Sequence, residues 1–441
     1  MTLRTRRLLF YLFTLFFIVI AVVAIFYSNG WRFDLETFQI NKLGALYFDV
    51  SPGNASIQID KANFEFSPGF LRSGTLVANL FPKTYTVTIS KEGYQTWRKE
   101  LEVLPSLVTH APPVILLPEK IELNKPLAEE IKNFWSGPKY IATLKNNGIL
   151  TINSKHIIGN SVADWSKDGE RVITTLDDTY FSTNINSPTN SINLNLMFRN
   201  LQGKKINDKS DIKEVKFLPE ENNQFIVWTD KGLYLVDTTK YTIIIISDEA
   251  VSSYVANNEE IIFSYNNSLM TYKPSLNTKE PLTNHEFNII TNIQISPSGY
   301  YVVTIENNGS LSVLNRYSLE LEHISGDVTS AYFSPNSNKI AYITKNNDLF
   351  SYPLVSATKL TQEKTARFNL GTIDKDITWH KKSEHLFIKY PSSLYLLEAN
   401  ALPPINLQVI DLKTTKYSYD DKKDVLYILK GSNLYDYSLG N

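Results

Sequence analysis

One small pattern recurs eight times between Ile131 and Leu439, and it constrains the fold before any single residue is weighed. An apolar anchor is followed by a short polar turn, an aliphatic strand, a tight Asn/Asp/Gly turn and a second strand rich in Leu and Tyr. The anchors are Trp135, Trp165, Phe217, Val255, Ile295, Phe333, Trp379 and Tyr419, at intervals of 30, 52, 38, 40, 38, 46 and 40 residues. Units of roughly 40 residues cannot bury their own apolar faces and must stack on their neighbours. Four short strands per unit read as a propeller blade. The pattern predicts a β-propeller of eight blades, or of seven if one unit, such as the second with its long interval to Phe217, is irregular.

In six repeats an aliphatic residue stands seven positions after the anchor: Val172, Ile262, Val302, Ile340, Leu386 and Leu426. The hairpin after it recurs as Lys145-Asn146-Asn147-Gly148, Thr229-Asp230-Lys231-Gly232, Asn266-Asn267-Ser268, Glu306-Asn307-Asn308-Gly309 and Lys345-Asn346-Asn347-Asp348. Asn-Gly and its relatives favour the primed turns whose twist matches paired strands.

Topology is set by the first thirty residues. Residues 8–27, LLFYLFTLFFIVIAVVAIFY, carry no charge, and about 20 apolar residues span a bilayer core as a helix. Arg4, Arg6 and Arg7 precede the run, while Arg32, Asp34, Glu36 and Lys42 on the far side are mixed in sign. The positive-inside rule keeps the N-terminus cytoplasmic and places the rest outside. A cleaved signal peptide has a shorter apolar region ending in a small-x-small site. Ala24-Ile25-Phe26-Tyr27 is a poor one, so a retained single-pass signal-anchor is expected. Trp31, just past the span, fits an interfacial anchor.

A formal net charge of -1 offers no basic field for nucleic acid. The absence of cysteine removes disulfides, thiolate metal sites, a Cys nucleophile and a lipoprotein cysteine.

From Lys42 to about Glu119 the pattern is all-β. Leu46-Tyr47-Phe48-Asp49-Val50, Ser56-Ile57-Gln58-Ile59-Asp60 and Tyr85-Thr86-Val87-Thr88-Ile89 alternate as half-buried strands do. Turns fall at Ser51-Pro52-Gly53-Asn54 and Lys91-Glu92-Gly93. About six strands are expected, with Trp97 in their core. The chain thus divides into an N-terminus (1–7), a transmembrane helix (8–27), a connector (28–41), a small β-domain (42–119) and a propeller (120–441).

The stretch GALYFDVSPGNASIQID from Gly44 and NLFPKTYTVTISKEGYQTW from Asn79 resemble a PEGA domain. Its eponymous turn stands as Pro52-Gly53-Asn54-Ala55, and its closing pattern as Lys91-Glu92-Gly93-Tyr94. Pro82-Lys83-Thr84 replaces the usual glycine turn, and the insert at 61–74 is longer than the usual hairpin. The resemblance covers about 75 residues and implies a spacer or adhesion module of microbial surface proteins, without a catalytic set. Trp165-Ser166-Lys167-Asp168-Gly169, Ile295-Ser296-Pro297-Ser298-Gly299 and Phe333-Ser334-Pro335-Asn336 resemble the repeats of TolB-like propellers. The Gly-His and Trp-Asp pair of WD40 repeats does not occur at its spacing.

Motifs that carry chemistry are few. His110, His156, His285, His323, His380 and His385 are scattered. The one cluster, His380 to His385, is a residue too long for the inverted zinc motif and reads as a solvated turn between strands. Asp177-Asp178 and Asp420-Asp421 fall in turns, where carboxylates accept from backbone amides. The sequence has no calcium loop, nucleophile elbow, P-loop or dinucleotide fingerprint. Trp135, Trp165 and Trp379 recur at one blade position and read as inter-blade core rather than a sugar platform. Trp228 is open between core and blade surface. The long connection from Asn184 to Asp211, including Lys204-Lys205, breaks the repeat period and is the best place for a grafted recognition loop.

No catalytic, cofactor or metal residue is assigned, and the binding residues are unknown. The expectation is a non-enzymatic envelope protein: the helix anchors it in the bilayer, the PEGA-like domain spaces it, and the propeller binds an envelope protein or surface glycan. The alternatives are a polysaccharide hydrolase or lyase, which would need carboxylates converging at the channel, and an extracellular sensor. With only seven residues before Leu8, a sensor would need a separate membrane partner to signal.

Overall fold

The computed structural model describes residues 3–35, 38–65, 74–123, 125–202, 210–354, 365–369, 371 and 376–439. Lys204-Lys205 and the central part of the 61–74 insert lie outside them. The chain forms two units: residues up to Ile121 together with Ala401–Gln408, and Glu122–Asn400 together with Val409–Leu439.

The first unit begins with α1, Leu3–Ser28, none of whose residues is buried by protein. At 1.5 Å per residue it is about 39 Å long, long and apolar enough to cross a membrane. In the stretch read as a connector, β1 (Trp31–Asp34) pairs antiparallel with β2 (Gln39–Lys42).

The small β-domain holds more strands than the six expected. Its described residues form a four-stranded sheet, Ala62–Glu65, Ser56–Ile59, Thr84–Ser90 and Trp97–Glu102, a three-stranded sheet around Gly44–Phe48, and a two-residue parallel pair. Two-residue and three-residue strands such as Val50–Ser51 and Val108–His110 are too short to show a period in sequence. Alternation does its expected work elsewhere: Tyr85, Val87 and Ile89 point inward with Ile57, Ile59 and Trp97, which is 1% exposed. Gly93 takes a φ of 76° at the tight turn, where Tyr94 N donates to Lys91 O at 3.0 Å.

The second unit, with Leu407 and Gln408 at the start of one outer strand, is the propeller, and its described residues form eight blades. Seven are four-stranded antiparallel sheets, spanning 131–157, 161–193, 212–247, 254–281, 290–325, 328–368 and 378–411, and the eighth has three strands, 416–438. Its fourth position is filled from the start of the unit. Leu127 N donates to Leu434 O at 2.8 Å, and Leu434 N donates to Ala128 O at 2.9 Å, so the segment preceding blade 1 closes the ring.

The sequence anchors are cross-strand pairs. Each lies at or next to the end of an inner strand and faces the second strand of its blade: Trp165 pairs with Val172, Val255 with Ile262, Ile295 with Val302, Phe333 with Ile340, Trp379 with Leu386 and Tyr419 with Leu426. The seven-residue spacing is the length of the connecting turn. Blade 1 keeps it with Ala142, and blade 3 inserts one residue so that Phe217 meets Phe225.

Apolar clusters lie between blades rather than within them. Trp135 and Trp165 share one cluster with Ala142 of blade 1 and Val172 of blade 2, and Trp379 joins Ala341 of blade 6 to Leu386 of blade 7. This is the stacking that units of this size require. Gly137 approaches the Trp165 ring so closely that a Cβ there would lie 2.6 Å from Cε2.

The long connection after blade 2 is mainly structural in its described part. It forms α2, Leu194–Gln202, which buries Leu194, Met197, Phe198 and Leu201 between blades 2 and 3. Phe198 meets Tyr234 edge to face at 5.2 Å. An amphipathic helix has replaced most of an outer strand, which explains the broken repeat period.

Candidate functional site

Each inner strand has one edge without a strand partner, and its N–H and C=O groups need other partners. Polar side chains of adjoining blades supply them. Asp164 Oδ2 accepts from Phe217 N at 2.8 Å, Ser252 Oγ donates to Ile290 O at 2.6 Å, and Gln294 Nε2 donates to Ala331 O at 2.6 Å. Trp379 Nε1 donates to Tyr332 O at 3.0 Å. Lys416 Nζ donates to Phe134 O at 2.8 Å and to Asn133 Oδ1 at 2.9 Å, joining blade 8 to blade 1. Burial holds the Lys416 ammonium below its ordinary range.

A recurrent bulge marks five of the inner strands. The inner strands of blades 1, 2, 3, 5 and 6 each shift register by one residue, just before Asn133, Asp164, Glu214, Asn292 and Ser330. A bulge turns the side chains next to it in a new direction. The bulged Thr291 and Thr329 in turn donate their hydroxyls to Ile305 O at 3.0 Å and Ile343 O at 3.1 Å.

Glu214 bonds across the junction of blades 3 and 4. Tyr254 OH donates to Glu214 Oε2 at 2.9 Å, and Lys216 Nζ lies 2.9 Å from Glu214 Oε1. Burial raises the Asp164 carboxyl, against the pull of the Phe217 and Trp165 amides and Lys216, while the neighbouring Glu214 charge adds to the rise. Burial and the Glu214 charge likewise raise the Tyr254 phenol. Two carboxylates, an ammonium and a phenol from three consecutive blades thus meet, a juxtaposition invisible in a sequence where Asp164 and Tyr254 stand 90 residues apart. The set can hold a polar group or a proton, yet Asp164 and Glu214 already carry inter-blade bonds.

The His380–His385 turn is correctly placed between strands, but it is not solvated. His380 is 2% and His385 1% exposed. His380 stands one residue after its anchor, where other blades have Ser166, Ser296 and Ser334, whose hydroxyls accept from Arg171 N, Tyr301 N and Lys339 N. His380 Nδ1 accepts from Lys382 N at 3.3 Å, and its Nε2 lies 3.3 Å from Asp424 Oδ1. The turn dips into the blade 7–8 interface, with His380 stacked on Tyr419 at 5.6 Å. Burial lowers its pKa to about 4, although Asp424 pulls the other way.

The remaining histidines, His110, His156, His285 and His323, are exposed and dispersed. Among the described residues no group of three or more His, Asp or Glu could hold a metal ion. Asp177 and Asp178 sit at positive φ in their hairpin, and Asp420 Oδ1 accepts from Lys422 N and Lys423 N, as turn carboxylates should. Trp228 is half-buried, its Nε1 donating to Val251 O at 2.9 Å.

One concavity opens on the face that carries the second-to-third-strand hairpins and the inter-blade connections. It has a volume of 210 Å³ and is lined by Ser252, Tyr265, Asn266, Asn267, Asn288 and Ile289 among others. Asn266 and Asn267 are exposed at the tip of a blade 4 hairpin, with φ of 46° and 61°. Asn288, from the next connection, donates Nδ2 to Glu306 Oε2 at 2.6 Å, and Phe287 N donates to Asn267 O at 2.7 Å. The hairpin asparagines were legible as turn formers; the connection that completes the pocket lies about twenty residues away and has no motif.

Fold and strand pairing define the class: a β-propeller protein with an N-terminal apolar helix and a small β unit. No protein-family model matches the chain, and no curated protein matches it in sequence. Among solved structures it is similar to the β-propeller domain of Myceliophteria thermophila Cps50 (Swd1), with 12% identity over 72% of this chain and 99% of that one, TM-score 0.42. It is also similar to a chain of the mitotic checkpoint complex, with 13% identity over 73% and 96%, TM-score 0.45. A third likeness, at 14% identity over 70% of this chain and 42% of the other, TM-score 0.41, is to PorZ, a bacterial surface component of the type-IX secretion system of Porphyromonas gingivalis. These likenesses concern overall fold.

Proposed function

We propose that the chain is a membrane-anchored, extracytoplasmic binding or scaffold protein of a microbial cell envelope, not an enzyme. In this reading α1 is a retained signal-anchor with its N-terminus cytoplasmic, the PEGA-like domain is a spacer, and the TolB-like propeller offers its hairpin face to an envelope protein or surface glycan. The polar pocket formed by Asn266, Asn267, Asn288 and Ser252 carries the reading. Amides and hydroxyls presented by a rigid scaffold suit the hydroxyls of a sugar or the backbone of a peptide.

Crosslinking in intact cells tests it, with the full chain as bait beside a chain lacking 131–441 and an Asn288→Trp variant that fills the pocket from an exposed position. A protein or glycan captured by the full chain, and lost in both controls, supports the proposal. Equal capture by all three refutes a role for the propeller.

The hydrolase reading has one favourable observation, the meeting of Asp164 and Glu214. If it holds, Asp164→Asn and Glu214→Gln each abolish release of sugars from envelope polysaccharide by a folded protein. The binding reading expects no such release from the parent chain.

A further inference from the structure

Strand register makes the β1–β2 hairpin two-faced. Trp31 pairs with Lys42, Arg32 with Asn41, Phe33 with Ile40 and Asp34 with Gln39. Alternation therefore puts Trp31, Phe33, Ile40 and Lys42 on one side and Arg32, Asp34, Gln39 and Asn41 on the other. Phe33 and Ile40 are 52% and 58% exposed, and Leu35 and Phe38 towards the tip are 76% and 77% exposed. Phe33 and Phe38 meet edge to face at 6.2 Å. A two-stranded hairpin with its apolar side in water is marginal at best.

That side does not face open space. A 520 Å³ groove runs between it and α1, lined by Val22, Val23, Phe26 and Tyr27 of the helix and Trp31, Arg32, Phe33 and Ile40 of the hairpin. Val22 lies six residues before the helix end at Ser28, so the groove extends about 9 Å along the apolar span. Amphipathic elements sink about 5–10 Å into the boundary between headgroups and acyl chains. Arg32 marks the polar edge: its guanidinium lies 3.3 Å from the Tyr27 ring centroid and donates to Tyr27 O at 2.6 Å, meeting a carbonyl at the helix C-terminus. The Lys42 ammonium lies over the Trp31 ring at 5.3 Å.

We propose that the β1–β2 hairpin is a second membrane element, lying in the interface of the extracytoplasmic leaflet with lipid acyl chains in the groove between its apolar side and α1. The proposal rests on α1 being retained as an anchor. Groove and helix form one continuous apolar surface, which commits the occupant to lipid. The hairpin would resist axial rotation and tilt of a lone helix, because Phe33, Phe38 and Ile40 lie off the helix axis.

The chain has no cysteine, so single-cysteine variants give clean labelling of the full protein. Ile40→Cys, Asn41→Cys and Val19→Cys, each carrying an environment-sensitive fluorophore, would be reconstituted into phosphatidylcholine vesicles with nitroxide near the headgroup or at the chain terminus. The expected result is blue-shifted emission at position 40, quenched by the shallow nitroxide, little quenching at position 41, and quenching at position 19 by the deep nitroxide. Quenching at 19 with none at 40 overturns the hairpin proposal and leaves the anchor standing. No quenching at any position overturns both. Equal quenching at 40 and 41 overturns the assignment of the apolar side.

Discussion

The ammonium of Lys99 donates to the carbonyl of Leu402 at 2.6 Å, across 303 residues of sequence. It also donates to Pro404 O at 3.0 Å. Lys99 is 0% exposed and shares the inward register of Trp97 and Leu101. Glu100 N donates to Pro403 O at 2.8 Å, and Gln408 Oε1 accepts from Leu117 N at 2.8 Å. Residues Ala401–Gln408 therefore complete the first unit by bonds to strand Trp97–Glu102 and to 115–117. Replacing Lys99 by Met keeps the aliphatic stem but leaves two carbonyls without their donor, at a cost of about 1–3 kcal/mol. Amide exchange at Glu100 and across 401–408 should accelerate in the full chain; unchanged exchange would show that Lys99 does not hold the segment.

His380 should make stability fall in acid. Its folded pKa, about 4, is below the ordinary 6.5, so the unfolded chain takes up the proton first. This loss begins as pH falls through about 6.5 and is complete below about 4, amounting to roughly 3 kcal/mol. Asp424 contributes in a separate window. Burial works to raise it, but bonds from Lys381 and Tyr419 and the charges of His380 and Lys381 hold it below 3.8, and that contribution vanishes only at lower pH. His380→Ser, the residue found at this place in blades 2, 5 and 6, should flatten denaturation midpoints between about pH 6 and about pH 4. A parent-like slope in that variant would assign the acid sensitivity elsewhere.

Gly137→Ala should destabilise the blade 1–2 junction. The new Cβ would approach Trp165 Cε2 and Cε3 at 2.6 and 2.7 Å, and overpacking of this kind costs about 1–3 kcal/mol. Chemical denaturation, with near-ultraviolet circular dichroism to follow indole packing, reads the effect. An unchanged midpoint would mean that the ring moves aside freely.

Leu127→Pro isolates ring closure. The side chain is 51% exposed, so the main loss is the backbone donor to Leu434 O, worth about 1–3 kcal/mol when the acceptor is left unpaired. Proteolysis of blades 1 and 8 should accelerate before that of blade 4. Uniform acceleration would mean that the ring opens as a whole.

The blades were legible because their information is local. Trp165 and Val172 are joined by a turn of fixed length, and Asn266-Asn267 writes its own left-handed conformation. Asn-rich turns and seven-residue spacings therefore register the strands without knowledge of their neighbours. The small β-domain was half legible: Tyr85-Val87-Ile89 alternates over enough residues, whereas Val50–Ser51 and Val108–His110 are defined only by their partners. Lys99 carried a signal of its own, a lysine in the inward phase of an alternating strand, although nothing near it in sequence names its partners.

By itself the sequence determined the apolar helix, the eight repeats and the inner hairpins of most blades, since helix length, strand period and turn chemistry act over a few residues. Tertiary structure alone decided what meets across blades and between distant segments. It brought Asp164 and Glu214 of adjacent blades into one cluster, buried His380 in a turn that looks solvated, returned 401–408 to Lys99, and gave Leu434 its partner in Ala128. Asp164 and Ala128 accept from backbone donors left open on strands, Phe217 N and Leu434 N, while Lys99 caps carbonyls of an irregular segment; which group meets each is set by how distant parts of the chain pack.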